Sequence, residues 1–331
     1  MKPVRYAGAM IALVVLAGSV VLTASRLLDS ESEPLVLAAS FVPWATVGYL
    51  VALALFSLLV WRQPWGRLRR ALMVGASVAL IGLGLHVWWL APSYLGAHPS
   101  GKPDLTVVEL NMLNGQANPT DVAALVRREH ADLLVLTEVT PEALAGVGHE
   151  GGVGPHSPLP HVAGHALPGA EGVVIASRFG LSVRRILEMT HRGYVVEVQA
   201  PRPFGLLAVH SAQPAIDIGG WRRDQETVVR ETRTLPGPRL VVGDLNATLD
   251  HPGPRRLLAD GMVDAARQAN AGWQPTWPSP GRPRVGRVPT PFGLFAIDHV
   301  LMSTHFGAVS TSTVVVRDSD HRALVARLVR N

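Results

Sequence analysis

"LVVGDLNATLDHP", residues 240–252, sets an apolar run, Leu240 to Val242, against Gly243, Asp244, Leu245 and Asn246, then breaks at Pro252. An extended chain alternates its side chains between two faces, so Asp244 and Asn246 share a face. Gly243 lets another group approach the backbone closely. An acid and an amide at the end of a buried strand read as the rim of a site, although the same pair also caps ordinary turns. Other segments decide between the two.

Similar interruptions recur on either side. LTVVELN ends on Asn111, PTDVAALVRREH has apolar positions at helical spacing, and ADLLVLTEV ends on Glu138, which together make a β-α-β unit. EGVVIASRFG, YVVEVQA and FGLLAVHSA are strand-like, and GWRRDQETVVRETRTL is the one clear helix among them. DHPGPRRLLADGMVDAARQA is predicted to be helical in part, while FAIDHVLMS, the stretch near STVVVR and HRALVARLVR complete the strands. Residues 144–170 are rich in Gly and Pro and are predicted to be an irregular loop. Their His149, His156, His161 and His165 match no metal-ligand spacing. Many strands with interspersed helices predict two mixed sheets packed face to face, with helices outside.

Polar residues interrupt these strand ends at Asn111, Glu138, His210, Asp244, Asn246, Asp298 and the pair Asp320-His321. One shared site accounts for them better than separate accidents. Carboxylates and amides offer oxygen to a hard divalent cation, and imidazoles move protons or hydrogen-bond phosphoryl oxygens, so the inventory suits phosphoester hydrolysis. In order, VVELN, LLVLTEV, GVVIASR, AVHS, VVGDLNA, PTWP, AIDHVL and SDHRAL resemble the endonuclease/exonuclease/phosphatase superfamily of DNase I-like hydrolases, across nearly all of residues 104–331.

That resemblance implies an α/β fold, a four-layer α/β sandwich, and dependence on Mg2+ or Mn2+. It implies Glu138 as the main metal ligand, helped by Asn111 and Asp320, with Asp244 and Asn246 positioning the attacking water and the scissile phosphate. By the same resemblance His321 is the general base and Asp298 its orienting partner, while His210 hydrogen-bonds the phosphate or protonates the leaving group. Glu171 is implied as the group that orients His210. Thr137 departs from the Gln that many members carry before the metal-binding Glu. Trp277 is expected to support the site wall, and Arg282, Arg284 and Arg287 either meet an anionic substrate or belong to a solvated loop.

The first hundred residues differ in kind. Apolar runs at about 6–24, 35–60 and 71–91 contain no Asp, Glu, Lys or Arg, and each meets the roughly 20 residues that a membrane-crossing helix needs. The first lacks a convincing cleavage site for a signal peptide and two more runs follow it, so all three read as transmembrane helices. Within them, Pro43 predicts a kink and His86 a polar contact between helices. Residues 1–100 are therefore expected to be a membrane anchor and residues 101–331 a catalytic domain. Lys2 and Arg5, then Arg62, Arg67, Arg69 and Arg70, predict a cytoplasmic N-terminus and an extracytoplasmic catalytic domain.

Charge narrows the partners. Residues 1–100 carry 7 Lys/Arg against 3 Asp/Glu and residues 101–331 carry 23 against 22, leaving the second half at a net +1. A long polyanion is a poor match for that half, because such affinity grows with the number of phosphates neutralised. A site tethered to the bilayer meets lipid headgroups at high effective concentration, and the plan resembles bacterial membrane-bound members of the superfamily linked to glycopeptide resistance. The expected substrate is a lipid-linked phosphate or pyrophosphate of envelope metabolism. A membrane-tethered nuclease and a non-catalytic binding protein on the same fold are the alternatives, the last disfavoured because no site position is lost.

Overall fold

The computed structural model of the chain describes residues 2–29, 32–96, 99–280, 284–285 and 288–331, with side chains described outside 2–6, 284–285 and 288–289. Two compact units divide it, Met1–Pro92 and Ser93–Asn331.

The first unit is helical: α1 (Lys2–Leu27), α2 (Glu33–Ala39), α3 (Ala45–Trp61) and α4 (Arg67–Leu90). Among the described residues, three stretches are long and apolar enough to cross a membrane: Ala7–Leu27, Val42–Trp61 and Arg67–Ser93. The apolar run at 35–60 is not one helix with a kink. It breaks after α2, and a 3-10 turn at Val42–Trp44 precedes α3. Pro43 lacks the N–H that a continuous helix would use and crowds the preceding turn. Inside the unit, Thr23 Oγ1 lies 2.7 Å from the Tyr49 hydroxyl and 2.9 Å from His86 Nε2. Gly82 makes that approach possible, since a Cβ there would stand 2.3 Å from the Tyr49 ring.

The second unit begins with β1 (Leu105–Asn111), α5 (Pro119–Glu129), β2 (Leu133–Thr137), α6 (Pro141–His149), β3 (His161–His165) and β4 (Val173–Ser177). It continues through β5 (Gly180–Leu187), β6 (Gly193–Gln199), β7 (Phe204–His210), α7 (Ile218–Thr234) and β8 (Arg239–Asp244). The remainder is α8 (Pro252–Ala259), β9 (Val263–Asp264), α9 (Ala265–Gln268), a short hairpin of β10 (Arg284–Val285) and β11 (Val288–Pro289), then β12 (Asp298–Met302), β13 (Phe306–Val315) and β14 (Arg322–Arg330).

Local chemistry starts the helices. Asn118 accepts from the Asp121 N–H ahead of α5, and Thr140 accepts from the Ala143 N–H ahead of α6, each followed by Pro at the first turn. The Gly/Pro-rich stretch at 144–170 is thus less irregular than its composition predicts. It holds the end of α6, and it holds β3, an edge strand made regular by pairing with β4.

Two six-stranded mixed sheets result, in the orders β13-β14-β1-β2-β4-β3 and β5-β6-β7-β8-β12-β9. They pack face to face with helices outside, the four-layer arrangement. Leu105 and Val107 of β1 meet Leu240 and Val242 of β8 between the sheets, while Val108 and Leu110 face Val122 and Val126 of α5. Each such side chain contributes about 1.5–3 kcal/mol by leaving water. The same alternation carries Glu109 and Asn111 into the space between the sheets.

Candidate active site

The pairing of strands brings the polar ends together. Asp244 at the end of β8 stands in register with His210 on one neighbouring strand and with Asp298 on the other. In the facing sheet Asn111 pairs with Thr137, immediately before Glu138. Gly243, at φ 144, admits close approach as its sequence context suggests, but the approaching group is β7: a Cβ would lie 1.9 Å from the Val209 carbonyl oxygen. Glu138 and Asn246 both have positive φ, 52 and 46. Few non-glycine residues adopt that conformation, and those that do concentrate at functional turns.

Hydrogen bonds fix the orientation of each group. The Asn111 side-chain NH2 donates to Glu138 Oε1 at 3.0 Å and to Asp244 Oδ2 at 3.1 Å, and its Oδ1 accepts from the Leu113 N–H at 2.8 Å. Asn114 N–H donates to the second Glu138 oxygen at 2.8 Å. The Asn246 amide donates to the Ser211 carbonyl at 2.9 Å, and its backbone N–H donates to Asp244 Oδ1 at 2.8 Å. His321 Nδ1 donates to Asp298 Oδ2 at 2.8 Å, while its Nε2 lies 3.8 Å from Asp244 Oδ2. Trp277 Nε1 donates to Asp320 Oδ2 at 3.1 Å, and so holds the residue that precedes His321.

His210 is held differently from expectation. Its Nδ1–H donates to the Ala170 carbonyl at 3.0 Å, whereas Glu171 is exposed to solvent. A backbone carbonyl therefore orients the ring in place of the Glu171 carboxylate. Burial, then the neighbouring His191 ring stacked at 4.2 Å, holds the His210 pKa well below the usual imidazole value. A neutral His210 with Nδ1 protonated leaves a lone pair on Nε2, 3.7 Å from Glu138 and 3.8 Å from Asp244. Arg282 and Arg287 lie outside the described residues, and Arg284 is described by its backbone alone.

Several contributors carried no obvious signal. Ser319 Oγ donates to the Asn111 carbonyl and accepts from the His321 N–H, tying the end of β1 to the start of β14. Trp221 and Gln225 of α7 hold the carbonyls of Asn246 and Leu245. Glu109 is the largest omission. It is fully buried between the sheets, next to Asp298 and Asp244. Its signal was an acid inside the apolar run LTVVELN, two residues from Asn111 and so on the same face.

The pocket holds more negative charge than its own residues neutralise. Burial, then the Asp298 charge, raises the Asp244 pKa to about 7. Burial likewise raises Glu109 well above the usual carboxyl value, followed by the charges of Asp298 and Asp244. Burial alone would lower His321, but Asp298 and then Asp244 lift its pKa to about 10. One oxygen of Asp298 and both of Glu109 are buried without a donor. Carboxylate-rich, oxygen-bearing and short of positive charge, the site fits a hard divalent cation; ligand atoms of Asp244, Asp298 and His321 already lie within 4.8 Å of one another.

A fold of two packed mixed sheets with this site at one end defines a hydrolase architecture for phosphoesters. The chain belongs to the endonuclease/exonuclease/phosphatase family, whose profile matches residues 108–321. Members of this family are divalent-metal-dependent and hydrolyse phosphoesters. No curated protein matches the chain. Among solved structures it is similar to an endonuclease/exonuclease/phosphatase from Beutenbergia cavernae, with 18% identity, 70% of this chain and 72% of that one covered, and a TM-score of 0.51. It is also similar to an AP endonuclease from Archaeoglobus fulgidus, with 16% identity, 67% and 98% covered, and a TM-score of 0.52. A truncated Caenorhabditis elegans TDP2 aligns with 16% identity over 68% and 97% of the two chains, at a TM-score of 0.51. At these identities the likeness concerns the fold.

Proposed function

We propose that the chain is a membrane-anchored, Mg2+-dependent phosphoesterase whose catalytic unit lies outside the cytoplasm and acts on a lipid-linked phosphate or pyrophosphate of envelope metabolism, with a contribution to glycopeptide resistance. The observation that carries the reaction class is the in-register row His210, Asp244, Asp298 facing Asn111 and Glu138, with His321 held by Asp298 at 2.8 Å. Glu138 and Asp320 would hold the cation, Mg2+ or Mn2+, which supplies Lewis-acid polarisation of the phosphoryl group when bound. Asn111 would help hold the cation, since its NH2 aims Glu138 and Asp244 while its oxygen, accepting one bond from the Leu113 N–H, keeps a second lone pair. Asp244 and Asn246 orient the attacking water; His321 would take its proton at Nε2 once a bound cation offsets the carboxylates that raise its pKa; and His210 meets a phosphoryl oxygen through its own Nε2 once protonated, which an approaching anion favours.

Support for the substrate class comes from the three candidate spans and the arginines that flank them. A panel of undecaprenyl pyrophosphate, phospholipid and duplex DNA, offered to the detergent-purified chain with Mg2+ and with EDTA, tests it. Turnover of the polyprenyl substrate alone is expected. Cleavage of DNA alone would transfer the assignment to a tethered nuclease, the class to which the similar archaeal AP endonuclease belongs.

A further inference from the structure

The strands that carry the candidate site converge at one pole of the sandwich, and their opposite ends enclose a second feature. A cavity of about 240 Å3 opens there, beside Leu105 at the start of β1, Phe204 at the start of β7, Phe306 at the start of β13 and Arg330 at the end of β14. Strand β1 runs from this cavity to Asn111, roughly 20 Å at about 3.3 Å per residue. A ligand here is not the substrate held at the other end.

The floor is apolar. Phe204 and Phe306 meet edge to face at 5.4 Å and are almost fully buried. The rim is cationic, with Arg178, Arg202 and Arg330 against a single lining acid, Asp104. Arg178 is satisfied by Asp132 at 3.1 Å. Arg202 donates from Nη2 to the Arg330 carbonyl at 3.2 Å, and its nearest carboxylate is Asp104, at 3.7 Å, which already accepts from the Arg330 backbone N–H at 2.9 Å. The Arg330 guanidinium lies 4.3 Å from the Phe306 ring centre, its Nη1 buried without a hydrogen-bond partner. Burial, then repulsion from Arg202, holds its pKa below the usual guanidinium value. The Arg330 Nη2 donates to the Pro203 carbonyl at 3.3 Å, so these two neighbouring guanidinium groups above an aromatic floor meet backbone carbonyls and one carboxylate, Asp104, which only the Arg202 guanidinium approaches, and Arg330 Nη1 is left without an acceptor.

We propose that this cavity binds a small amphiphile, its oxyanion head, carboxylate or phosphate, held by Arg202 and Arg330 and its short apolar body resting on Phe204 and Phe306. The guanidinium forks match a planar or tetrahedral oxyanion, and the apolar body gains by leaving water. Pockets with an apolar lining and a few convergent polar groups are the general form of small-molecule sites. The same head group occurs on soluble amphiphiles and on anionic lipids of a bilayer.

The test uses the full chain in nanodiscs of zwitterionic lipid, titrated with para-trifluoromethylbenzylphosphonate, which cannot be hydrolysed, and followed by fluorine NMR against empty nanodiscs. Saturable broadening beyond the empty-disc control is expected, unchanged by EDTA and by Asn246→Ala at the opposite pole. Arg202→Ala and Arg330→Met should each weaken it roughly ten-fold, the Met retaining apolar cover over Phe306. Loss of probe binding when anionic lipid is added to the nanodisc assigns the ligand to a bilayer lipid, and unchanged binding assigns it to a soluble amphiphile. No saturable binding, binding indifferent to both arginine variants, or binding abolished by Asn246→Ala overturns the proposal.

Discussion

His321 is joined to Asp298 at 2.8 Å through Nδ1, and this bond turns its other nitrogen, Nε2, toward Asp244 at 3.8 Å. A ring pinned on one side presents a single nitrogen to substrate. Turnover of bis(p-nitrophenyl) phosphate should therefore fall by roughly two to four orders of magnitude in His321→Ala, the range for loss of a general acid or base. Asp298→Asn, which keeps the shape and weakens the hold, should cost roughly ten-fold to a hundred-fold. Equal losses in the two variants would mean that Asp298 does more than orient the ring.

Glu138 offers a different kind of failure. Its carboxylate is aimed by Asn111 and by the Asn114 N–H, and its side chain retains contact with solvent. Glu138→Gln removes a charge that a hard cation needs, so activity should drop and partly recover as Mg2+ is raised, whereas His321→Ala should not recover. A linked effect follows from His321, whose pKa of about 10 is set by the carboxylates around it. A cation among those groups opposes their field, so Mg2+ added near pH 8 should release protons, readable by pH-stat, and fewer in His321→Ala. Identical metal titrations of the two variants would contradict this division.

Legibility in the sequence followed the physics of each feature. Strand ends carrying Asn111, Glu138, His210 and Asp244 are readable because alternation places polar residues on one face of an apolar run; His210 lies in register with Asp244, and Asn111 bonds both Glu138 and Asp244. The hold on His210 was not readable, since the Ala170 carbonyl leaves no mark on side-chain chemistry. Strand β3 escaped because an edge strand with Gly164 and two histidines becomes regular only against β4. The break before α3 was understated, as Pro43 signals a disturbed helix without fixing whether it bends or ends. Glu109 is an acid whose parity with Asn111 places it between the sheets, where it is fully buried.

His299 gives a pH dependence with a definite sign. Its Nδ1 faces Asp264 Oδ2 at 3.3 Å and its Nε2 faces the Ala247 carbonyl at 2.9 Å, so both nitrogens meet acceptors and the cation is satisfied. Burial lowers the pKa, but the Asp264 hydrogen bond and charge outweigh it and the net shift is upward. A raised folded-state value stabilises fully below the unfolded pKa, about 6.5, and is lost as pH rises through the folded value. His299→Gln should flatten the fall in unfolding free energy between pH 7 and 8 by up to about 1.4 kcal/mol per pH unit, measured by denaturant melts. An unchanged slope would exclude a charged His299.

Glu109 supplies the complementary case. Both of its oxygens and one oxygen of Asp298 are buried without a donor, so two ionised carboxylates would face each other with acceptors only. A proton on Glu109 converts that clash into a hydrogen bond to Asp298, in keeping with the raised pKa caused by burial and then by Asp298. The folded chain then keeps a proton that the unfolded chain gives up near the ordinary value of 4.5. Stability is thus lost progressively as pH rises above that value, until the folded pKa is passed. Glu109→Gln preserves shape and donor and cannot ionise, so its melting temperature should fall less between pH 5 and 8 than the parent's. Its activity should stay within about three-fold, a barrier change well under 1.4 kcal/mol. Glu109→Ala leaves a cavity between the sheets and removes the proton donor from the otherwise unpaired Asp298 Oδ1, and should cost about 2–4 kcal/mol. If the Gln variant keeps the parent's full pH sensitivity, the proton does not reside on Glu109, and Asp298 is held by His321 and the packing of the two sheets without it.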